Sequence, residues 1–412
     1  MDPKIDAGST AWMLASSALV LLMVPGLALF YGGMVRQKNV LSTMMHSFIA
    51  MTVIGVQWVL VGYCLSFGQS KGGFIGFDPA MLGLSGIPHT KMFADKNIPE
   101  LVFVMFQGKF AIITPALISG AVAERMSLRS YLIFITLWST LVYCPLAHWV
   151  WASDGWLYKL GVLDFAGGTV VHIAAGVAAL VLALLIGPRK GFAKGEGLAP
   201  APNSLPLTLL GAGMLWFGWF GFNAGSAVAV ESPVAGTVAG LAFTTTQSAA
   251  ASAGLCWMLV ERLHHGKITT LGLASGMIAG LVAVTPAAGH ITPLSALLLG
   301  ALASVVCYAA IQLKHKLGYD DSLDAFGVHG VGGLLGALMT GLLCFTPAPA
   351  GLDQFLKQLL GASVAIGFSG GMTLLLGLAL RALGGLRVDE EAEQHGLDLV
   401  IHGERSYHPH EA

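Results

Sequence analysis

Long apolar runs separated by short polar stretches dominate this chain. A bilayer's hydrocarbon core of about 30 Å is crossed by about 20 apolar residues of helix. Eleven stretches meet that requirement: 10–34, 40–67, 99–122, 128–150, 167–187, 205–223, 235–260, 269–287, 291–313, 326–346 and 353–384. They predict an all-α integral membrane protein of eleven transmembrane helices. Many of the runs are rich in Gly and Ala, and the chain holds 54 glycines, small residues that let helix backbones approach closely in lipid. The opening "MDPKIDAGSTAWML" has two acids and one Lys before its apolar run. Without a basic leader, that run reads as a retained span, not a cleaved signal. The closing stretch 385–412, with "RVDEEAEQHGLDLVIHGERSYH", is too polar to span and reads as a tail.

Composition strengthens the membrane reading. Of 412 residues, 55% are hydrophobic and 10% charged, where a soluble domain has about 25% charged. The net charge of -1 says nothing about nucleic acid, and no basic tract is long enough to suggest it as a partner. The five cysteines, Cys64, Cys144, Cys256, Cys307 and Cys344, fall in apolar runs without CxxC spacing and read as inert thiols.

Lys and Arg fix the expected orientation. With the N-terminus outside, the inner loops and tail hold fourteen: Arg36, Lys38, Arg125, Arg129, Arg189, Lys190, Lys194, Arg262, Lys267, Lys314, Lys316, Arg381, Arg387 and Arg405. The outer side holds five: Lys4, Lys71, Lys91, Lys96 and Lys159. Excess positive charge stays on the cytoplasmic side, so the chain is expected N-out and C-in, with a cytoplasmic tail at 385–412.

"TVVHIAAG" in the fifth run is echoed by "FGVHGVGG" in the tenth, each with Val-His and then Gly four residues after the His. His172 follows Asp164 by eight residues and His329 follows Asp324 by five. An offset of five spans inserts the two halves in opposite senses. This is the inverted-repeat plan, whose sites form near the midplane between halves. The expected halves are about 10–187 and 205–346, followed by a final helix at 353–384.

Titratable groups at membrane depth are expensive and mark pathways. His172 and His329 stand at repeat-equivalent, mid-helix positions. A metal pair lacks convincing ligand spacing. A proton relay suits them better, since neutral imidazole offers one donor and one acceptor and titrates near neutrality. His46 and His148 read as satisfied core or interface residues; His264, His265, His395, His402, His408 and His410 fall in loops or the tail. Each Asp lies near a helix start, where a carboxylate caps free N–H groups. For Asp324 the structural cap is the expected role. Asp164 either caps its helix or also supplies a field that draws a cation. Phe106 and Phe110 lie one turn apart, and Trp219, Phe222 and Ser226 follow at similar spacing, with Trp149 and Trp151 in "AHWVW". Aromatics with a nearby hydroxyl hold small cations. On the residues alone, however, core or interfacial packing is the stronger reading of these aromatics.

The stretches "VPGLALFYGGMVRQKNVLSTM", "AERM", "DFAGGTVVH", "WFGFNAGSA", "TPAAG", "DAFGVHGVGG" and "GLRVDEEAEQHGLDLVIHGE" resemble the Amt/Mep/Rh ammonium transporter family, in its prokaryotic Amt branch. The resemblance covers nearly the whole chain. It implies a homotrimer of eleven-helix protomers in the prokaryotic inner (plasma) membrane, each with its own pore. No enzymatic activity, cofactor or metal is implied. Phe110 and Phe222 resemble the stacked Phe gate. Trp151 and Ser226 resemble the outer ammonium-recruitment site, with Phe106 and Trp219 nearby and Asp164 as the acid below it. His172 and His329 resemble the twin histidines of the pore. Lys109 departs from the pattern: a neutral residue is expected between Gly108 and Phe110.

The implied function is ammonium uptake. The ion is recruited and deprotonated, ammonia crosses an apolar lumen, and the histidines relay the proton, so net charge moves. Methylammonium is the expected analogue. The tail is implied to regulate, and the loop "GPRKGFAKGEGLAPAPN" to contact PII-type signalling proteins. The rival readings are a passive ammonia or carbon dioxide channel, an ammonium sensor, and a redox or metal-dependent membrane enzyme.

Overall fold

The computed structural model describes residues 5–93, 96–192, 201–230 and 233–407. Helices stand at all eleven expected ranges. The first five are α1 (Ala7–Met34), α2 (Gln37–Phe67), α3 (Glu100–Val122), α4 (Leu128–Lys159, interrupted at 152–155) and α5 (Gly168–Ile186). The next five are α6 (Leu205–Gly225), α7 (Pro233–His265), α8 (Thr270–Val284), α9 (Pro293–Leu317) and α10 (Phe326–Leu343), and α11 (Leu352–Ala382) closes the bundle. Among the described residues, nine of these are long and apolar enough to cross a membrane; α7 and the 15-residue α8 are not in that set. The chain is a multi-pass membrane protein. We label the end of the bundle where α1 begins "outer", following the charge asymmetry.

Local chemistry sets the helix starts. The Asp6 carboxylate accepts from Ser9 N at 2.6 Å, and Thr269 Oγ1 accepts from Gly272 N at 2.9 Å. Pro206 and Pro293 occupy first-turn positions where no N–H is required. Helix contacts then depend on bare backbone. A Cβ on Gly211 of α6 would lie 2.3 Å from Phe30 N of α1. α1 packs along α6, the first helices of the two expected halves, and α5 packs on α10, their last. α11 lies across both α5 and α10.

At the inner end a buried ion network ties the loops together. The Glu124 side chain is 0% exposed and takes Arg36 Nη2 at 3.0 Å and Arg189 Nη1 at 3.1 Å. Arg189 also grips Asp320 through Nε at 2.8 Å and Nη2 at 2.9 Å. Burial acts to raise both carboxyls, but Arg189 and the neighbouring guanidiniums outweigh it and hold them below their ordinary range.

The tail docks on this network through two short helices, α12 (Glu390–His395) and α13 (Leu397–His402). Glu393 accepts from Lys190 N and Arg387 Nη2, both at 2.7 Å. Asp398 accepts from Leu41 N at 3.0 Å and Ser42 N at 2.8 Å. The tail thereby caps the α-helical part of α2, which begins at Val40 and whose own N-cap Asn39 makes no such bond. Of the loop 187–203, residues 193–200 lie outside the described residues.

Candidate pore

A cavity of about 530 Å³ opens at the outer end, with Gln107, Phe110, Trp151, Phe165 and Ser226 among its walls. The Trp151 indole N–H donates to the Asp164 backbone carbonyl at 2.9 Å, which fixes the ring. The Ser226 hydroxyl donates to Phe222 O at 2.9 Å, leaving its oxygen free to accept. Aromatic faces beside an unclaimed acceptor suit a small cation.

Phe110 floors this cavity. Its ring stacks on Phe222 with centroids 4.1 Å apart and 30° between planes, and it meets Trp151 edge-on at 5.9 Å. Inward of the pair lies a lumen of about 10 Å³, walled by side chains including Leu27, Ile113, Leu215, Trp219, His172 and His329. That is space for about one water-sized molecule. A third cavity, about 30 Å³, continues inward past His329 to Tyr31, Ser275 and Asp324.

The two imidazoles meet inside the lumen. Nδ1 of His172 and Nδ1 of His329 are 3.3 Å apart, so one ring donates and the other accepts. Their planes differ by 21° with centroids 5.3 Å apart. His172 Nε2 is buried with no hydrogen-bond partner.

The backbone explains how two helices bring them together. α5 opens with a π-helical turn at Gly168–Ile173 and α10 with one at Phe326–Gly330, each carrying its histidine. Such turns re-aim side chains and recur at functional sites. The helices cross where neither has bulk: a Cβ on Gly176 would lie 2.2 Å from Gly330 N, and one on Gly333 would lie 2.9 Å from His172 Cβ. Gly176 faces Gly330 while Gly333 faces Gly168 and His172, so rising numbers on α5 meet falling numbers on α10. The crossing is antiparallel. Gly176→Ala has no room and should push the helices apart, at about 1–3 kcal/mol of overpacking. We expect intact insertion but several-fold slower ammonium uptake, read as an initial rate in proteoliposomes; an unchanged rate would contradict the tight-crossing account.

Acids hold each π turn in place. The Asp164 carboxylate accepts from Gly167 N at 3.1 Å and from Thr169 N and Val170 N at 3.0 Å. It is buried, caps α5, and is not part of the outer cavity wall. In α10 the equivalent bonds go to Asp321, which accepts from Ala325 N at 3.0 Å and Phe326 N at 2.8 Å. The expectation that Asp324 caps this helix is therefore corrected. Asp324 sits in left-handed backbone (φ 60°), as Gly167 does (φ 110°), and pairs with Lys314. Asp321 precedes His329 by eight residues, as Asp164 precedes His172. That spacing was the available signal for it.

Other residues fall as follows. Trp219, expected beside the outer site, lies inward of the Phe110–Phe222 pair: it donates to Thr285 Oγ1 at 2.9 Å and its ring is 5.5 Å from His172. Phe106 is fully buried and supports Phe110 edge-on at 4.9 Å rather than lining the outer cavity. His148 spends both ring nitrogens on Ser66 O at 2.9 Å and Ser70 Oγ at 2.8 Å. Gln107 was not anticipated; its Oε1 is buried without a partner. Lys109 lines none of the three cavities.

Comparison with known proteins shows the family. Residues 11–407 match the model of the Ammonium Transporter Family. The ammonium transporter of Mycobacterium tuberculosis is 48% identical over 98% of this chain and 90% of its own length. That of Bacillus subtilis is 46% identical over 98% and 99%. The crystal structure of Saccharomyces cerevisiae Mep2 superposes with a TM-score of 0.87 at 36% identity, covering 94% of this chain and 89% of that one. With two histidines meeting in an apolar lumen beneath stacked aromatics, and with relatives matched end to end, the chain belongs to the ammonium transporter family.

Proposed function

We propose that this chain is an electrogenic ammonium uptake transporter of eleven spans, N-out and C-in, in a prokaryotic plasma membrane. The observation that carries the reading is the His172–His329 contact in a lumen with room for about one small molecule, directly inward of Phe110 and Phe222. Ammonium, or methylammonium as its analogue, is recruited between Trp151, Phe110 and Ser226, with Phe106 supporting the Phe110 ring. Asp164 acts through position: it caps α5, anchors Trp151, and lends negative charge to the field below the site.

Carrying the ion itself through an apolar lumen would cost tens of kcal/mol without compensation. In the proposed sequence the ion loses one N–H proton to an acceptor at the outer side. Neutral ammonia passes as Phe110 and Phe222 part, and the proton travels by the imidazoles. Trp219 lines the ammonia path beside His172. At the inner end ammonia regains a proton, so one charge crosses per cycle. The test is a current recorded from proteoliposomes after an ammonium pulse. Ammonia entry, seen as an internal pH rise without current, would favour the passive gas-channel reading; binding with neither signal would favour a sensor.

The protomers are proposed to assemble as homotrimers, and residues 1–384 to act as the transport domain under a regulatory tail at 385–412. The loop 187–203 is the proposed PII contact. Truncation after Leu386 removes Glu393 and Asp398 and so releases the α2 cap, worth about 1 kcal/mol. We expect the truncated protein to insert and melt nearly as wild type but to transport several-fold more slowly. Full transport by the truncated protein would remove the regulatory role.

A further inference from the structure

Lys109 is half buried in α3 and makes no hydrogen bond or ion pair among the described residues. Nine residues from the helix start, it lies about 13 Å below the outer end at 1.5 Å per residue. That is close to the middle of a hydrocarbon core about 30 Å thick, too deep for its stem to carry the ammonium to the interface. It shares a partly exposed stripe with Leu101 and Met105, spaced four apart on one helix face. A lone cation facing lipid at this depth is costly enough to require a partner.

The other half of the protomer carries the complementary defect. Gln247 exposes its amide from the middle of α7 and makes no hydrogen bond among the described residues. Its face continues through Gly240, Thr244 and Ala251, all exposed, with the Thr244 hydroxyl returned to Gly240 O at 2.9 Å. Small residues of this kind let a second helix come close.

The two sites share one depth. Asn223 donates to Thr246 Oγ1 at 2.9 Å, and the adjacent Phe222 stacks on Phe110 at 4.1 Å. Lys109 is next to Phe110 and Gln247 next to Thr246, so both stand on the same level of the bundle. They occupy different sides, for α3 packs against α1 and α2 whereas α7 packs against α6, α8 and α9. Copies inserted in the same sense are related by rotation about the membrane normal, which preserves depth. A head-to-tail ring then brings one protomer's α3 face to the next protomer's α7 face.

We infer that Lys109 is an intersubunit contact: the Leu101–Met105–Lys109 stripe docks on the Gly240–Gln247 face of a second copy, where the Lys109 ammonium donates to the Gln247 side-chain oxygen. The contact satisfies a cation and an amide that lipid would leave unsolvated. It rests on the homo-oligomer proposed above, and the test separates the two.

The experiment introduces Lys109→Cys and Gln247→Cys into the full chain in native membranes and applies a short bis-thiol-reactive cross-linker. Wild type controls for the five native thiols. The expected result is covalent multimers from the double variant and none from either single variant. An oligomer intact by light scattering that fails to cross-link in the double variant overturns the contact while leaving the assembly. Cross-linking by Lys109→Cys alone also overturns it, since like would then meet like. Lys109→Met supplies a second readout: weaker oligomers in detergent, with a half-saturating ammonium concentration changed by less than about fivefold. A large gain in apparent affinity would place Lys109 at the pore mouth and reject the inference.

Discussion

Replacing His172 and His329 together by Ala is expected to extinguish the ammonium current. The two rings supply the polar groups that meet across a lumen otherwise walled mainly by Leu, Ile, Val and aromatic side chains. Without them the proton has no carrier, and the bare ion faces a desolvation cost of tens of kcal/mol. Even a loss of about 1.4 kcal/mol of barrier lowering costs tenfold in rate, so current should fall below detection. Ammonia, being neutral, should still cross the widened apolar lumen and raise internal pH. His172→Asp keeps a titratable group and should retain some ion flux, with relaxed selectivity against potassium. The measurement is current and internal pH on the same proteoliposomes. An undiminished current in the double variant would sink the relay, leaving the imidazoles as wall material only.

The second large effect is on stability. Arg189→Met strips Glu124 and Asp320, both with fully buried carboxylates, of a shared partner. Removing one side of a buried ion network typically costs about 3–5 kcal/mol. At roughly 2–4 °C per kcal/mol the melting temperature in detergent should drop by on the order of 10 °C. Arg189→Lys should recover only part, because an ammonium cannot reproduce the forked contact to Asp320. The same carboxyls predict the pH behaviour. Their values in the folded protein lie below their ordinary ones. Their contribution to stability is therefore present above the unfolded values of about 4 and lost as pH falls through the depressed folded values. A melting temperature for Arg189→Met within 2 °C of wild type, with the pH dependence unaltered, would show that the network contributes little (a threshold of roughly 1 kcal/mol).

The apolar runs carried the helix plan because lipid exposure forces it on the sequence, and each run corresponds to a helix, with α7 and the short, apolar α8 outside the nine long apolar spans among the described residues. The meeting of His172 with His329 was legible from the repeated Val-His and Gly spacing. The acid of the second half was misassigned to Asp324, which is nearer to His329, whereas Asp321 keeps the eight-residue interval and makes the bonds. Which side of the aromatic pair Trp219 would take is also invisible in sequence: Trp219 and Phe222 are neighbours on one helix, and only the stacking of Phe222 on Phe110 divides outer from inner space. The ion network escaped for another reason. Glu124, Arg189, Asp320 and Glu393 come from three separate loops and the tail, and nothing local marks them as partners.

The antiparallel crossing of α5 and α10 has a consequence for the direction of traffic. Each helix presents the same series from its own end: a capping acid, a left-handed residue, a π-helical turn and an imidazole. The backbone devices at the crossing are therefore matched, although Trp219 and Phe222 stack against His172 only. For the transport proposed above, these matching series give the crossing itself little with which to favour one direction. The cavities on either side differ more. One, open at the outer end, is about 530 Å³ and faced with aromatics; the other is enclosed, about 30 Å³, and bordered by Asp324.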